Sequence, residues 1–291
     1  MYSVNAPRAE ADDGFDFQLY RYTPSLPGAI IAVIVFAILT CAHLWRLLRS
    51  RAFYFTAFTV GGAFQTVGYC GRIWSHFDKL SVGGFIIQSI LILIAPALFA
   101  ASIYMILARI IRAVEAEGLS PVPVRWLTKI FVTGDVIAFS LQAGGGGIQA
   151  IGTLEMFELG EKIIIGGLFA QIAVFSIFIV TSLTVHYRLN KRPTQAAVEN
   201  VVPWRRHLFA LYATSFLILV RSIFRVFEYI QGNGGYLISH EIFLYIFDSV
   251  LMAGVMLIFA IWYIGDLEQR KSAVPGSDSE SGQRVLKAPL Q

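Results

Sequence analysis

The sequence predicts an all-α fold: a polytopic membrane protein built as a seven-transmembrane-helix bundle, N-terminus outside and C-terminus cytosolic. Three observations predict it. Of 291 residues, 56% are hydrophobic and only 14% charged, against about 25% charged in an ordinary soluble domain. Seven runs are long and apolar enough to cross a bilayer, which takes about 20 residues each. The basic residues fall almost wholly on one side of those runs.

The runs lie at 28–48, 53–75, 81–111, 125–150, 160–187, 206–230 and 240–264. None alternates with period two, so a closed β-barrel, the other structure able to span lipid, is excluded. Alternate connections carry Arg46, Arg49 and Arg51; Arg109, Arg112, Arg125 and Lys129; Arg188, Lys191, Arg192, Arg205 and Arg206; and Arg270, Lys271, Arg284 and Lys287. The opposite side has only Arg8, Arg21, Lys79 and Lys162. The +4 net charge is therefore a topology signal, and nucleic acid is not expected as a partner. Residues 1–27 read as a short extracellular segment without the pattern of a cleavable signal peptide. Residues 28–265 form the membrane domain, and the polar tail 266–291 reads as disordered and cytosolic. Cys41 and Cys70 read as small buried hydrophobes at different depths, not as a disulfide.

Ionisable residues inside lipid are costly, by at least ~2.5–3.5 kcal/mol at mid-membrane on insertion scales, so they face inward, pair, or line a wet cavity. Positions i, i+4 and i+7 share a helix face. Arg221, Arg225 and Glu228 have that spacing in the sixth span; Glu241, Tyr245 and Asp248 repeat it in the seventh; Gln65, Tyr69 and Arg72 repeat it in the second. At 1.5 Å rise per residue, Asp248 and Arg221 lie about 12 Å below the outer ends of their helices. Arg72 and Glu241 are expected near the outer surface. Gln88 and Gln142 also fall in the outer half, and Asp135 nearer the middle. The stripes predict a ligand-binding cavity open to the outside, with Arg221 and Arg225 neutralising Glu228, Asp248 or Glu241. A structural ion-pair cluster joining the sixth and seventh spans is the plainer alternative. Gln65, Gln88 and Gln142 also suit interhelical hydrogen bonds, and Asp135 suits either helix pairing or transport coupling. His43, His186 and His207 are expected at interfaces or on the cytosolic side.

Gly144–Gly147 would break or loosen the fourth span, either as a turn or close helix contact or as a flexible lip on the cavity. Pro96 should kink the third. A retinal protein needs a lysine in the seventh span, and there is none. The Asp/Glu-Arg-Tyr and Asn-Pro-x-x-Tyr marks of rhodopsin-class receptors are also missing. His76 and His240, at two loop ends without a carboxylate triad, are weak support for a metallohydrolase. No enzyme activity, no cofactor and no metal are expected.

The stretches "YRYTPSLPGAIIAVIVFAILTCAHLW", "QTVGYCGRIWS", "IAPALFAASIYMILARII", "FVTGDVIAFSLQAGGGG", "GLFAQIAVF" and "RSIFRVFEYIQGNGGYLISHEIFLYIFD" follow in order along the seven spans. Jointly they resemble the fungal RTA-like proteins, the lipid-translocating exporter family. The resemblance departs in the second span, where Gln65 stands in the environment of the usual glutamate, so no carboxylate is carried over there. It implies a fungal membrane protein of the plasma membrane or vacuole. Family members are linked to export of sphingoid long-chain bases, resistance to amphipathic toxic compounds, and porphyrin or haem movement.

The expected function is therefore transport or export of an amphipathic lipid or toxic amphiphile, with membrane lipids as further partners. A sensor or receptor with the same ligand is the alternative. Asp248, Glu241 or Glu228 would bind an ammonium. Arg221, Arg225 and Arg72 would hold those carboxylates or bind a ligand anion. Tyr245, Tyr69, Gln65, Gln88 and Gln142 complete the expected site.

Overall fold

Ser25 starts the first helix: its hydroxyl accepts from Gly28 N at 3.4 Å, and Pro27 in the first turn needs no hydrogen-bond acceptor. The computed structural model describes residues 24–78, 82–149, 153–199, 203–232 and 235–262. Within them run seven long helices: α1 (Leu26–Ser50), α2 (Thr56–Phe77), α3 (Val82–Ala113), α4 (Val124–Gln149), α5 (Leu154–Lys191), α6 (Trp204–Ile230) and α7 (Glu241–Ile261). Residues 1–23 and the expected tail 266–291 lie outside the described residues. α1 ends at Arg51 in the left-handed conformation, φ 52°.

Consecutive helices pack side by side, and α7 returns to α1, closing the bundle. His43 Nε2 meets the Met256 carbonyl oxygen at 2.9 Å, and Arg46 bonds the Ala260 carbonyl, so two polar contacts fasten that closure. α3 also crosses to α6 and carries much of the core, with Phe99, Ile103, Tyr104, Ile106 and Leu107 fully buried. We call the end where α1 begins the N-face and the end where α7 finishes the C-face.

Glycines set the closest approaches. A Cβ at Gly61 would lie 2.8 Å from the Phe99 ring, and at Gly68 2.7 Å from the Ile92 side chain, so α2 lies tight on α3. The glycine run in α4 does not break it. The helix continues through Gly144–Gly147 to Gln149, and a Cβ at Gly145 would sit 2.7 Å from the Gly160 carbonyl oxygen of α5. Backbone contact at Gly145 makes that position a helix interface, and the run stays helical without a turn. Pro96 likewise lies inside a continuous α3.

α5 has 38 residues, about 57 Å at helical rise, and exceeds both the expected 160–187 run and the bilayer core of about 30 Å. Its charged ends continue the helix past the apolar stretch. α7 contains a π-helical segment at Tyr245–Val250. Cys41 and Cys70 are both exposed, which corrects the expectation of burial: each sits on an outer flank where no neighbouring helix covers it. His43 is fully buried among Phe55 and Phe58, at the α1–α7 interface.

The outer flanks are apolar. Ile31, Ile38, Trp45, Val180 and Phe216 are each at least 60% exposed, although a soluble protein would cover such side chains. Among the described residues, five helices, α1, α3, α5, α6 and α7, are long and apolar enough to cross a membrane. The chain is an all-α, polytopic integral membrane protein.

Candidate ligand-binding site

The charged stripes of α2, α6 and α7 meet inside the bundle, toward the N-face. Arg72, fully buried, donates from Nη2 to Glu241 Oε1 at 2.7 Å and from Nε to the same oxygen at 3.2 Å. Its Nε also lies 3.3 Å from the Tyr245 hydroxyl, and its guanidinium carbon 5.5 Å from the Tyr245 ring centre. Glu241 accepts in addition from Ser25 N, at 2.8 and 2.9 Å to its two oxygens. One carboxylate thus ties together the start of α1, the end of α2 and the start of α7. Of the pairings left open by the sequence, Arg72 takes Glu241, and Arg221 and Arg225 take the other two acids.

Two turns deeper, about 10 Å along α7, Asp248 is buried between three helices. Tyr69 of α2 donates its hydroxyl to Oδ2 at 3.4 Å, and Arg221 of α6 pairs with Oδ1. Arg221 also donates from Nη2 to the Ile92 carbonyl of α3 at 3.1 Å. That carbonyl is available for a sequence reason. Residue i+4 from Ile92 is Pro96, which has no backbone N–H to return. The proline therefore frees an acceptor that anchors the arginine across the bundle. The π segment of α7 covers Tyr245 and Asp248; such wide turns recur at functional sites.

Arg225 and Glu228 form a third pair within α6, Nη1 to Oε2 at 2.6 Å, with the guanidinium carbon 5.1 Å from the Tyr229 ring centre. The three acids and three arginines match one to one. Removing one member of a buried pair leaves its partner uncompensated, at roughly 3–5 kcal/mol. Aromatic rings wall the cluster: Tyr69 stacks on Phe36 at 5.5 Å and on Tyr245 at 6.2 Å. Gln65, one turn from Tyr69, is fully buried with neither amide atom hydrogen-bonded. Arg72, Arg221 and Asp248 are all at most 3% exposed. The deep part of the site is closed, with Arg72, Arg221 and Asp248 facing one another, while Arg225, Glu241 and Glu228 keep 19%, 16% and 12% of their side chains exposed.

Three predicted residues lie elsewhere or at the margin. Gln88 is buried on α3 and its backbone N would meet a Cβ on Gly71 at 3.0 Å, beside Arg72. Gln142 donates to Gln171 at 3.0 Å across the α4–α5 interface. Asp135 accepts from Tyr104 at 2.9 Å between α3 and α4, where the Tyr104 ring packs on Phe131 and Phe178. Neither Gln142 nor Asp135 touches the ion pairs. Sequence reasoning missed Ser25 N and the Ile92 carbonyl, both backbone groups. Ser25 ahead of Pro27, and Pro96 four residues past Ile92, are the sequence signals that could have found them.

A polytopic helical bundle with compensated charges buried between its helices is a class of membrane protein, not of soluble enzyme scaffold. The family model described as RTA1 like protein matches residues 58–271, and the chain belongs to that fungal family. Protein RTA1 of Saccharomyces cerevisiae is 36% identical over 86% of each chain. Protoporphyrin uptake protein 1 of the same species is 35% identical, over 84% of this chain and 91% of that one. Sphingoid long-chain base transporter RSB1, also of Saccharomyces cerevisiae, is 26% identical over 92% of this chain and 79% of that one. No solved structure matches.

Proposed function

We propose that the protein is a transporter or exporter of amphipathic lipids resembling sphingoid long-chain bases, or of toxic amphiphiles, in the fungal plasma membrane. The carrying observation is Asp248, buried in the bundle and shared between the Tyr69 hydroxyl and the Arg221 guanidinium. In this reading the N-face is outside. Glu241, the more exposed acid, meets the ligand's ammonium first, and Asp248 receives it deeper. An ammonium bonds to a carboxylate by charge-assisted hydrogen bonds about twice as strong as neutral ones. It therefore competes with Arg72 and then Arg221 for the same oxygens. Each exchange loosens one link between helices, which opens the closed site as the headgroup enters. Phe36, Tyr69 and Tyr245 flank the alkyl chain, and the Gln65 amide supplies donor and acceptor capacity for a hydroxyl. The base-transporting relative supports this substrate class.

The equal count of arginines favours a second substrate, an amphiphile bearing carboxylates, which would take Arg72 and Arg221 instead. The relative named for protoporphyrin uptake points the same way. A sensor would use the same site without moving its ligand.

Lipidomics and native mass spectrometry of the purified protein test the proposal. A sphingoid base should co-purify with wild type and be lost in Asp248→Asn, and cells carrying that variant should lose resistance to the base at normal expression. Retention of the base with unchanged resistance in Asp248→Asn would make the cluster structural. Binding without any export of labelled base would favour the sensor.

A further inference from the structure

At the C-face, α5 and α6 separate around a cavity of about 360 Å³ lined by His186, Asn190, Arg205, Phe209 and Tyr212. The lining is two facing helical stripes. His186 and Asn190 are i, i+4 on α5, and Arg205, Phe209 and Tyr212 are i, i+4, i+7 on α6. Its inner wall is built from contacts already made. The His186 and Tyr212 rings stack at 5.8 Å with their planes 18° apart, Trp204 meets His186 edge-on, and the Tyr212 hydroxyl donates to the Ser182 carbonyl at 3.3 Å.

The polar rim is not used up in the same way. The Arg205 guanidinium carbon lies 5.2 Å from the Trp204 ring centre. No carboxylate of the described residues lies within 4 Å of Arg205, Arg206, Lys191 or Arg192. Between His186 and Arg206 the sequence has five Lys or Arg and a single acid, Glu199, which accepts from Gln195. The N-terminus of α6 opens beside Arg205 without a side-chain cap, which adds the positive end of a 27-residue helix. From Arg205 to Tyr212 the cavity extends about 10 Å along α6. Below it the flank is bare apolar surface: Phe209 is 63% and Phe216 64% exposed, seven residues apart on one face.

We propose that this cavity holds the phosphate headgroup of an anionic phospholipid from the leaflet at the C-face. Arg205 and Asn190 bind the phosphate oxygens. The glycerol lies against Tyr212 and Phe209, and the acyl chains run down the Phe209–Phe216 flank. The volume is at the small end of ligand cavities, which run from about 300 to 1,000 Å³. It therefore suits a glycerophosphate head and leaves the tails in the bilayer. The aromatic ring at this depth matches the belt where indoles and phenols meet headgroups. This site uses no residue of the buried ion-pair cluster.

The test uses the full chain in mild detergent with three probes: palmitoyl-oleoyl phosphatidylserine, its phosphatidylcholine counterpart, and glycerol 3-phosphate. Native mass spectrometry reads the bound fraction. Phosphatidylserine should bind about tenfold better than phosphatidylcholine, whose choline ammonium cancels the phosphate charge and repels Arg205, and Arg205→Gln should remove that advantage. Asn190→Ala, at an exposed position, should weaken phosphatidylserine by about threefold, the loss of one neutral hydrogen bond. It reads the same contact even if Arg205→Gln fails to assemble. Arg112→Gln, at the same end but outside the cavity, should bind like wild type. Equal binding of the two lipids, or unchanged binding in both cavity variants, overturns the proposal. So does displacement of the lipid by equimolar glycerol 3-phosphate, which would assign the cavity to a soluble anion.

Discussion

At the scale of single residues, the cluster works because each buried charge has one compensating partner. Asp248→Ala strands Arg221 among apolar helices and should destabilise the protein by roughly 3–5 kcal/mol. The double change Arg221→Met with Asp248→Leu removes both charges and should recover most of that loss in a thermal-shift measurement in detergent. Equal melting of the single and double variants would show that the two residues are not coupled. The recovered variant should still lack ligand binding, which separates stability from function. Pro96 makes a different prediction. Pro96→Ala restores an N–H that can take the Ile92 carbonyl, so Arg221 loses one of its two anchors. The variant should melt no lower than wild type yet bind or export its amphiphile less well. A drop in melting temperature with unchanged export would mean that the proline matters only for packing.

At the scale of helices, α4 and α5 show how one composition serves two purposes. Gly145 and Gly160 are contact points where an added Cβ would strike backbone at 2.7 and 2.5 Å. Backbone cannot retreat as a flexible side-chain end does. Gly144, Gly146 and Gly147 face open space. Gly145→Leu should therefore separate the two helices and lower the melting temperature sharply. Gly146→Ala and Gly147→Ala should raise stability by about 0.5–1 kcal/mol each, because alanine loses less entropy in a helix. A uniform response across the run would refute the interface assignment. The run was legible as special from its composition. Its direction was not, because local propensity argues for a broken helix and only the opposing face of α5 overrides it. α7 shows the converse. The spacing of Glu241, Tyr245 and Asp248 was legible as one stripe, but the π segment, which changes the phase along it, left no mark in the pattern. Which partner each acid meets followed from the neighbours at its depth.

At the scale of the whole molecule, the proposed orientation has a direct check. With Cys41 and Cys70 replaced by alanine, Asp78→Cys at the N-face should react with a membrane-impermeant maleimide on intact cells. Glu117→Cys at the C-face should react only after permeabilisation; the reverse pattern would invert the proposed path of the ligand. The sequence by itself determined the helical class, the approximate place of each long helix and the three polar stripes. Those properties depend on apolar run length and on residue spacing, and both are local. The tertiary structure alone decided that Arg72 holds Glu241, that Arg221 holds Asp248, and that Gln142 and Asp135 belong to other interfaces. It alone placed His43 in the core and both cysteines on the flanks. Pairing is a matter of which faces meet at which depth, and backbone acceptors such as the Ile92 carbonyl carry no side-chain signature. A stripe shows that a charge must turn inward; only the packed neighbours determine what it turns to.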